Sequence, residues 1–263
     1  MGPWTARGSM ALQVVFVVLL AGAGAAPTAW RALSYNLLHE QADLAASLDV
    51  IGRADADVVC VQELTPRFAR AFAARFGRVY PHRRFEEREG TWGVGVASRH
   101  PLEDAEVFAQ SPHRMPAVQA TVVRGGERVT VVCVHLFPPG ARRRKEAGLL
   151  GTMRENAELR VQQADGLARR LAARRGPLLL LGDFNEADDD AAVKRLRDAG
   201  FAVACDIDGE RCGGTYPGGT SLWPAVFQVD HILGRGLRFH RAEVRSEGSS
   251  DHYPIVAEFT LGE

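Results

Sequence analysis

Short polar clusters punctuate this chain: Ser34-Tyr35-Asn36, Gln62-Glu63, His135, Asp183-Phe184-Asn185, Asp230-His231 and Ser250-Asp251-His252. Each borders a run of β-branched and aliphatic residues, and so falls at a strand end, where a rigid sheet presents side chains to a cleft. Taken singly, such residues are turn formers that terminate strands. Six together share a coherent chemistry. Carboxylates and amides are hard oxygen donors suited to Mg²⁺, and histidines beside them suit proton transfer and phosphate contact.

The elements that would position these clusters are read from periodicity. Strands are expected at 30–36, 58–63, 93–98, 117–123, 129–135, 178–182, 227–233, 238–244 and 255–260. Helices are expected at 41–53, at 66–76 with Thr65 as cap, at 156–174, and at 187–198 closed by Gly200. Strands outnumber helices by about two to one, and 117–123 with 129–135 reads as a hairpin across Arg124-Gly125-Gly126-Glu127. This pattern predicts antiparallel or mixed sheets covered by helices in one domain, without repeats or low-complexity linkers.

The chain has 263 residues, 46% hydrophobic and 24% charged, with 32 Lys+Arg against 32 Asp+Glu. That composition excludes intrinsic disorder, collagen and a multi-pass membrane protein. An apolar run at 10–26 follows Arg7 and ends in Ala21-Gly22-Ala23-Gly24-Ala25-Ala26, the layout of a secretory signal peptide cleaved after Ala25. The expected organisation is a signal peptide over 1–25 and one domain over 26–263, secreted or otherwise extracytoplasmic, such as periplasmic. In that compartment Cys205 and Cys212, which flank a short polar stretch, are expected to form a disulfide. Strand alternation puts Cys60 on the side opposite Glu63 and Cys133 on the side of His135, so these two are expected to stay unpaired and buried.

The ordered set Ser34-Tyr35-Asn36, Val61-Gln62-Glu63, Val134-His135, Gly182-Asp183-Phe184-Asn185, Val229-Asp230-His231 and Ser250-Asp251-His252-Tyr253-Pro254 resembles the endonuclease/exonuclease/phosphatase superfamily, whose familiar member is deoxyribonuclease I. The resemblance spans nearly the whole mature chain. It implies an α/β fold, a four-layer sandwich in which two mostly antiparallel β-sheets pack face to face with helices outside. It also implies a catalytic Mg²⁺, with Mn²⁺ as substitute, held by Glu63 with Asn36 beside it and Asp251 completing the shell. Asp183 would orient or deprotonate the attacking water, and Asn185 would bind a non-bridging oxygen. Asp230 would hold His252, which acts as general base or as a cation facing the phosphate, and His135 would contact the phosphate or protonate the leaving oxygen. No carboxylate partner for His135 stands out; Glu86, Glu87 and Glu89 are the nearest. His39, His82, His100, His113, His231 and His240 read as surface or turn residues, Asp188-Asp189-Asp190 as complements to a helix dipole, and Arg142-Arg143-Arg144-Lys145 as a solvated loop.

The expected activity is metal-dependent hydrolysis of phosphodiesters by a monomer without a stable protein partner. The substrate is nucleic acid, as for a secreted nuclease, or a lipid headgroup or lipid-linked (pyro)phosphate reached by peripheral membrane contact. Loss of Arg7 leaves the mature chain near neutrality, which weighs mildly against strong DNA binding. A non-catalytic binding module is the alternative of another class, disfavoured because all the core polar residues are present.

Overall fold

A computed structural model of the chain describes residues 1–2, 29–141 and 148–262. The expected leader, beyond its first two residues, and the basic run 142–145 lie outside the described residues. Among those described, the order is β1 (Trp30–Asn36), α1 (Leu44–Ala54), β2 (Val58–Gln62), α2 (Pro66–Phe76), β3 (His82–Glu86), β4 (Val94–Ser98), β5 (Leu102–Gln110) and β6 (Met115–Arg124). It continues with β7 (Glu127–His135), α3 (Gly148–Ala172), β8 (Leu178–Asp183), α4 (Ala191–Asp198), β9 (Ala202–Val203), β10 (Asp230–Arg235), β11 (Leu237–Val244) and β12 (Ile255–Leu261). No described helix is long and apolar enough to cross a membrane.

The strands form two six-stranded sheets, ordered β11-β12-β1-β2-β4-β3 and β5-β6-β7-β8-β10-β9. Each is antiparallel except for one central parallel pair, β1 with β2 and β7 with β8. A parallel pair needs a crossover, and α1 and α3 supply them. The sheets pack through Ala32, Cys60 and Val96 of the first and Val131, Cys133 and Leu181 of the second, all buried in one core cluster. The opposite face of the first sheet, with Leu33, Val59 and Val61, packs on Ile51 of α1 and Phe68 and Phe72 of α2. Leu167 of α3 and Val193 and Leu196 of α4 join the core from the second sheet. The result is the four-layer α/β sandwich that the resemblance implies, and strand alternation sorts the apolar residues between its layers.

Local chemistry sets the element ends. Thr65 accepts from the Phe68 amide at 3.2 Å and Pro66 opens α2, as expected from the sequence. In the hairpin between β6 and β7, Gly125 and Gly126 both adopt positive φ, 56° and 90°, as a type I′ turn requires. Several boundaries differ from expectation. Asp43 caps α1, which begins at Leu44 rather than 41; α3 begins at Gly148 rather than 156; α4 begins at Ala191 rather than 187; and β10 begins at Asp230 rather than 227. The strands missing from the sequence reading are β3, β5 and the two-residue β9. All three lie at sheet edges; charged side chains that blunt edge pairing break the apolar alternation in β3 and β5, and β9 is only Ala202-Val203.

The cysteines give one agreement and one correction. Cys205 pairs with Cys212. Cys60 pairs with Cys133, contrary to the parity reading. That reading assumed that Glu63 continues strand alternation, but β2 ends at Gln62 and Glu63 takes a left-handed φ of 56°. The turn re-aims Glu63 while Cys60 stays on the inner face, opposite Cys133, and the bond staples the two sheets.

Candidate active site

Both parallel strand pairs deliver their carboxyl ends to the same end of the sandwich. Asn36 ends β1 and pairs in register with Gln62 at the end of β2; His135 ends β7 and pairs with Asp183 at the end of β8. Asp230 opens β10 directly opposite Asp183. The loop before β12 adds Asp251 and His252. All eight residues singled out from the sequence therefore meet, and Glu63, His135, Asp183, Asn185, Asp251 and His252 line one cavity of about 530 Å³. Asn36 and Asp230 lie behind that wall, both buried.

Asp183 is the hub. One carboxylate oxygen accepts from the Asn36 side-chain amide at 2.9 Å and the other from the Asn185 backbone N–H at 2.8 Å. His135 Nε2 and His252 Nε2 stand 3.4 and 3.8 Å from it. Asn185 is itself left-handed, with φ 53°, and its side-chain amide donates to the Leu136 carbonyl at 3.1 Å. His135 Nδ1 lies 3.1 Å from the Thr91 carbonyl. A carbonyl only accepts, so Nδ1 carries a proton and Nε2 is presented to the cavity. The partner sought for His135 among Glu86, Glu87 and Glu89 is thus a backbone carbonyl together with Asp183.

His252 Nδ1 and Asp230 Oδ2 are 2.8 Å apart and fully enclosed. Burial pushes the Asp230 carboxyl up, with the neighbouring imidazole opposing. Burial disfavours charge on His252, yet the Asp230 and Asp183 carboxylates outweigh it and push the imidazole up to about 10. Burial also raises Asp251, and the carboxylates of Glu63 and Asp183 add to the effect. Thr215, itself buried, fixes this group in place. Its hydroxyl accepts from the Val229 and Asp230 amides, and its carbonyl accepts from Tyr253 N–H at 2.8 Å. The Tyr216 ring packs on the His252 ring at 5.0 Å between centroids.

Besides Thr215 and Tyr216, three residues outside the sequence-derived set shape the site. His39 approaches Glu63 Oε2 with its backbone N–H at 3.0 Å and ring Nδ1 at 2.5 Å, so it is a site residue and not merely part of a turn. Arg160 and Glu186 form a buried ion pair at 2.9 Å in the cavity wall. None of the three ends a strand: Arg160 sits mid-helix, His39 in the loop after β1 and Glu186 in the segment after β8. His231 is also corrected. It is fully buried, faces the Glu186 carbonyl at 2.7 Å through Nε2, and packs edge-on against Phe184, with burial lowering its pKa. Of the acidic run, Asp190 precedes α4 without a side-chain cap bond, and Asp188 pairs with Arg211.

The donor set fits a hard divalent cation. Among the described residues no Lys or Arg pairs with Glu63, Asp183, Asp230 or Asp251, so four carboxylates converge with only imidazoles as counter-charge. Ligand atoms of Asp183, Asp230 and His252 lie within 4.8 Å of one another. The Asp230–His252 hydrogen bond already occupies that trio, which leaves Glu63 and Asp251 as the accessible oxygen donors. Asn36 turns its Oδ1 to the Leu38 amide at 3.1 Å and its nitrogen to Glu63 and Asp183, so here it spaces the two carboxylates apart.

Residues 33–252 match the model of the Endonuclease/Exonuclease/phosphatase family. UPF0294 proteins of Vibrio vulnificus (strain YJ016) and Vibrio campbellii are 28% identical over 103 residues and 23% identical over 181 residues. These alignments cover 38% and 66% of this chain, and 33% and 56% of the relatives, so the chain spans about a third to just over half of the length of the curated relatives it matches. Among solved structures, humanized D. rerio TDP2 superposes with a TM-score of 0.72 at 15% identity, covering 89% of this chain and 99% of that one. An endonuclease/exonuclease/phosphatase from Bacteroides vulgatus gives 0.70 at 17%, covering 89% and 99%. D. rerio TDP2 complexed with single strand DNA product gives 0.69 at 16%, covering 89% and 100%.

Proposed function

Because the chain belongs to the Endonuclease/Exonuclease/phosphatase family, we propose that it is a metal-dependent phosphodiesterase acting outside the cytoplasm, with its active site in the cavity beneath Glu63, Asp183 and His252. The observation that carries this reading is the buried Asp230–His252 pair facing Asp183 in a cavity where, among the described residues, no Lys or Arg pairs with Glu63, Asp183, Asp230 or Asp251. A bound Mg²⁺ or Mn²⁺ would supply neutralisation of a phosphoryl oxygen. Glu63 and Asp251 would hold it, with Asn36 keeping Glu63 and Asp183 apart.

The remaining steps belong to the chain's own groups. Asp183 lies within reach of a water aimed at phosphorus and takes its proton as the new P–O bond forms and the bond to the leaving oxygen breaks. His252, held as an imidazolium by Asp230, stabilises the charge that builds on the phosphoryl oxygens. His135, carrying a proton on Nε2 as well as on Nδ1, would give the Nε2 proton to the leaving oxygen as that bond breaks, and the second N–H of the Asn185 amide would reach a non-bridging oxygen. Two disulfides and the leader-like N-terminal sequence support an oxidising compartment. D. rerio TDP2, one of the fold neighbours, was solved with a single strand DNA product. The near-zero net charge of this chain weighs against a nucleic acid as its own substrate.

Hydrolysis of bis-(p-nitrophenyl) phosphate tests the reading. Turnover is expected with Mg²⁺ or Mn²⁺, to vanish with chelator, and to fall by about 10² or more in Asp183→Ala. Metal-independent turnover, or a folded Asp183→Ala protein with full rate, overturns it.

A further inference from the structure

The active-site cavity is not closed on its outer side. Tyr216 and Phe227 line it and also line an adjoining trough of about 490 Å³ completed by Pro217, Trp223, Pro224 and Val226. Leu222 and Trp223 at its lip are 103% and 78% exposed and, with the exposed Val226 and Phe227, make a contiguous apolar patch rather than a lone surface residue. A second apolar wall comes from the start of α3. Met153 lines the cavity, and Leu149, one helical turn earlier on the same face, is exposed together with Leu150. Two separate segments thus place large apolar side chains in water around a single polar cavity.

Charge decides what such a rim receives. From residue 213 to 229 the chain carries no Lys, Arg, Asp or Glu. A polynucleotide lying in this trough would find aromatic faces but no cation for its phosphates, and phosphate neutralisation supplies most of non-specific nucleic-acid affinity. A molecule with one phosphoester and an apolar tail matches the trough and the cavity together. Exposed Trp and Leu are also the side chains that settle at a bilayer's headgroup level.

Building on the phosphodiesterase reading above, we infer that the 213–229 segment and the first turn of α3 seat the protein on a lipid bilayer, so that its substrate is a membrane lipid phosphoester whose headgroup enters the cavity. The rim holds the surface and the carboxylates meet the phosphate, with no rearrangement of the sandwich.

The test uses the full chain and vesicles of phosphatidylcholine and phosphatidylglycerol in a 7:3 ratio. Binding is measured by co-sedimentation in the presence of chelator, so that it is independent of turnover. Leu222→Asp/Trp223→Asp is expected to lower the vesicle partition coefficient at least tenfold, and Leu149→Asp/Leu150→Asp to lower it by several fold. Both variants should keep the wild-type circular dichroism and melting temperature, since all four residues are exposed. The N-terminal apolar run is common to all these proteins, so only the rim accounts for a difference. Equal partitioning of wild type and both folded variants, or no vesicle binding at all, overturns the docking. So does a Leu222→Asp/Trp223→Asp protein that loses affinity for a single-stranded oligonucleotide and not for vesicles, a result that would assign the trough to base stacking. Turnover of the soluble diester without vesicle binding refutes the docking alone, whereas vesicle binding without any diester turnover refutes the phosphodiesterase reading alone.

Discussion

Asp183 shows how much chemistry a single strand-end position concentrates. Buried at the end of β8, it receives two hydrogen bonds and faces two imidazoles, so every catalytic proposal for the cavity passes through its geometry. Two predictions belong to this scale. Glu63→Gln keeps the shape of the side chain but removes its charge, so it should raise the Mg²⁺ concentration needed for half-maximal rate and lower the maximal rate together; metal titration of diester hydrolysis checks both. His252→Ala should lower kcat by about 10²–10⁴. Asp230→Asn should cost less, and the double variant little beyond His252→Ala, because residues acting as one unit are non-additive. Losses that multiply in full would separate Asp230 from His252. The sequence made these eight residues legible because each lies at or just beyond the end of an apolar strand, or in the short turn before one. The role of His39 and that of Thr215 were not legible, because one acts from a loop and the other through backbone and hydroxyl bonds that depend on segments distant in the chain.

At the scale of elements, the site depends on close approach of β7 and β8, the parallel pair whose ends carry His135 and Asp183. Gly182 lies between Leu181 and Asp183, and a Cβ there would fall 1.9 Å from the Val134 carbonyl oxygen. Gly182→Ala should therefore destabilise the fold by roughly 1–3 kcal/mol as the strands shift to relieve overpacking. It should also reduce kcat by displacing Asp183; urea unfolding and diester kinetics on the same preparation measure the two effects. Central strands such as β2, β7 and β8 could be read from sequence because both their faces are buried. The edge strands β3 and β5 could not: β3 reads His-Arg-Arg-Phe-Glu, and β5 carries a bulge between Glu103 and Glu106, so apolar alternation is absent there, whereas the edge strand β11 was read at 238–244. The Cys60–Cys133 pairing escaped for an element-scale reason as well, since the left-handed Glu63 cannot be seen from residue types.

For the whole molecule, the two disulfides differ in what they constrain. Cys60–Cys133 closes a separation of 73 residues and ties one sheet to the other beneath the cavity, whereas Cys205–Cys212 closes 7 residues of one loop. In the chain-entropy account these loops correspond to roughly 4 and 2 kcal/mol. Cys60→Ala/Cys133→Ala should accordingly lower the urea midpoint more than Cys205→Ala/Cys212→Ala, and chelator should leave both differences unchanged. The pattern of pairing has a further consequence for how the protein is made. Each cysteine bonds to the next one in the chain, first with second and third with fourth. A chain delivered amino-terminus first into an oxidising compartment exposes Cys60 and Cys133 before any competing thiol arrives, and the correct bond is then the only one available. By the time Cys205 emerges its single remaining partner is Cys212, so vectorial synthesis itself proofreads the connectivity and no wrong bond has to be reshuffled.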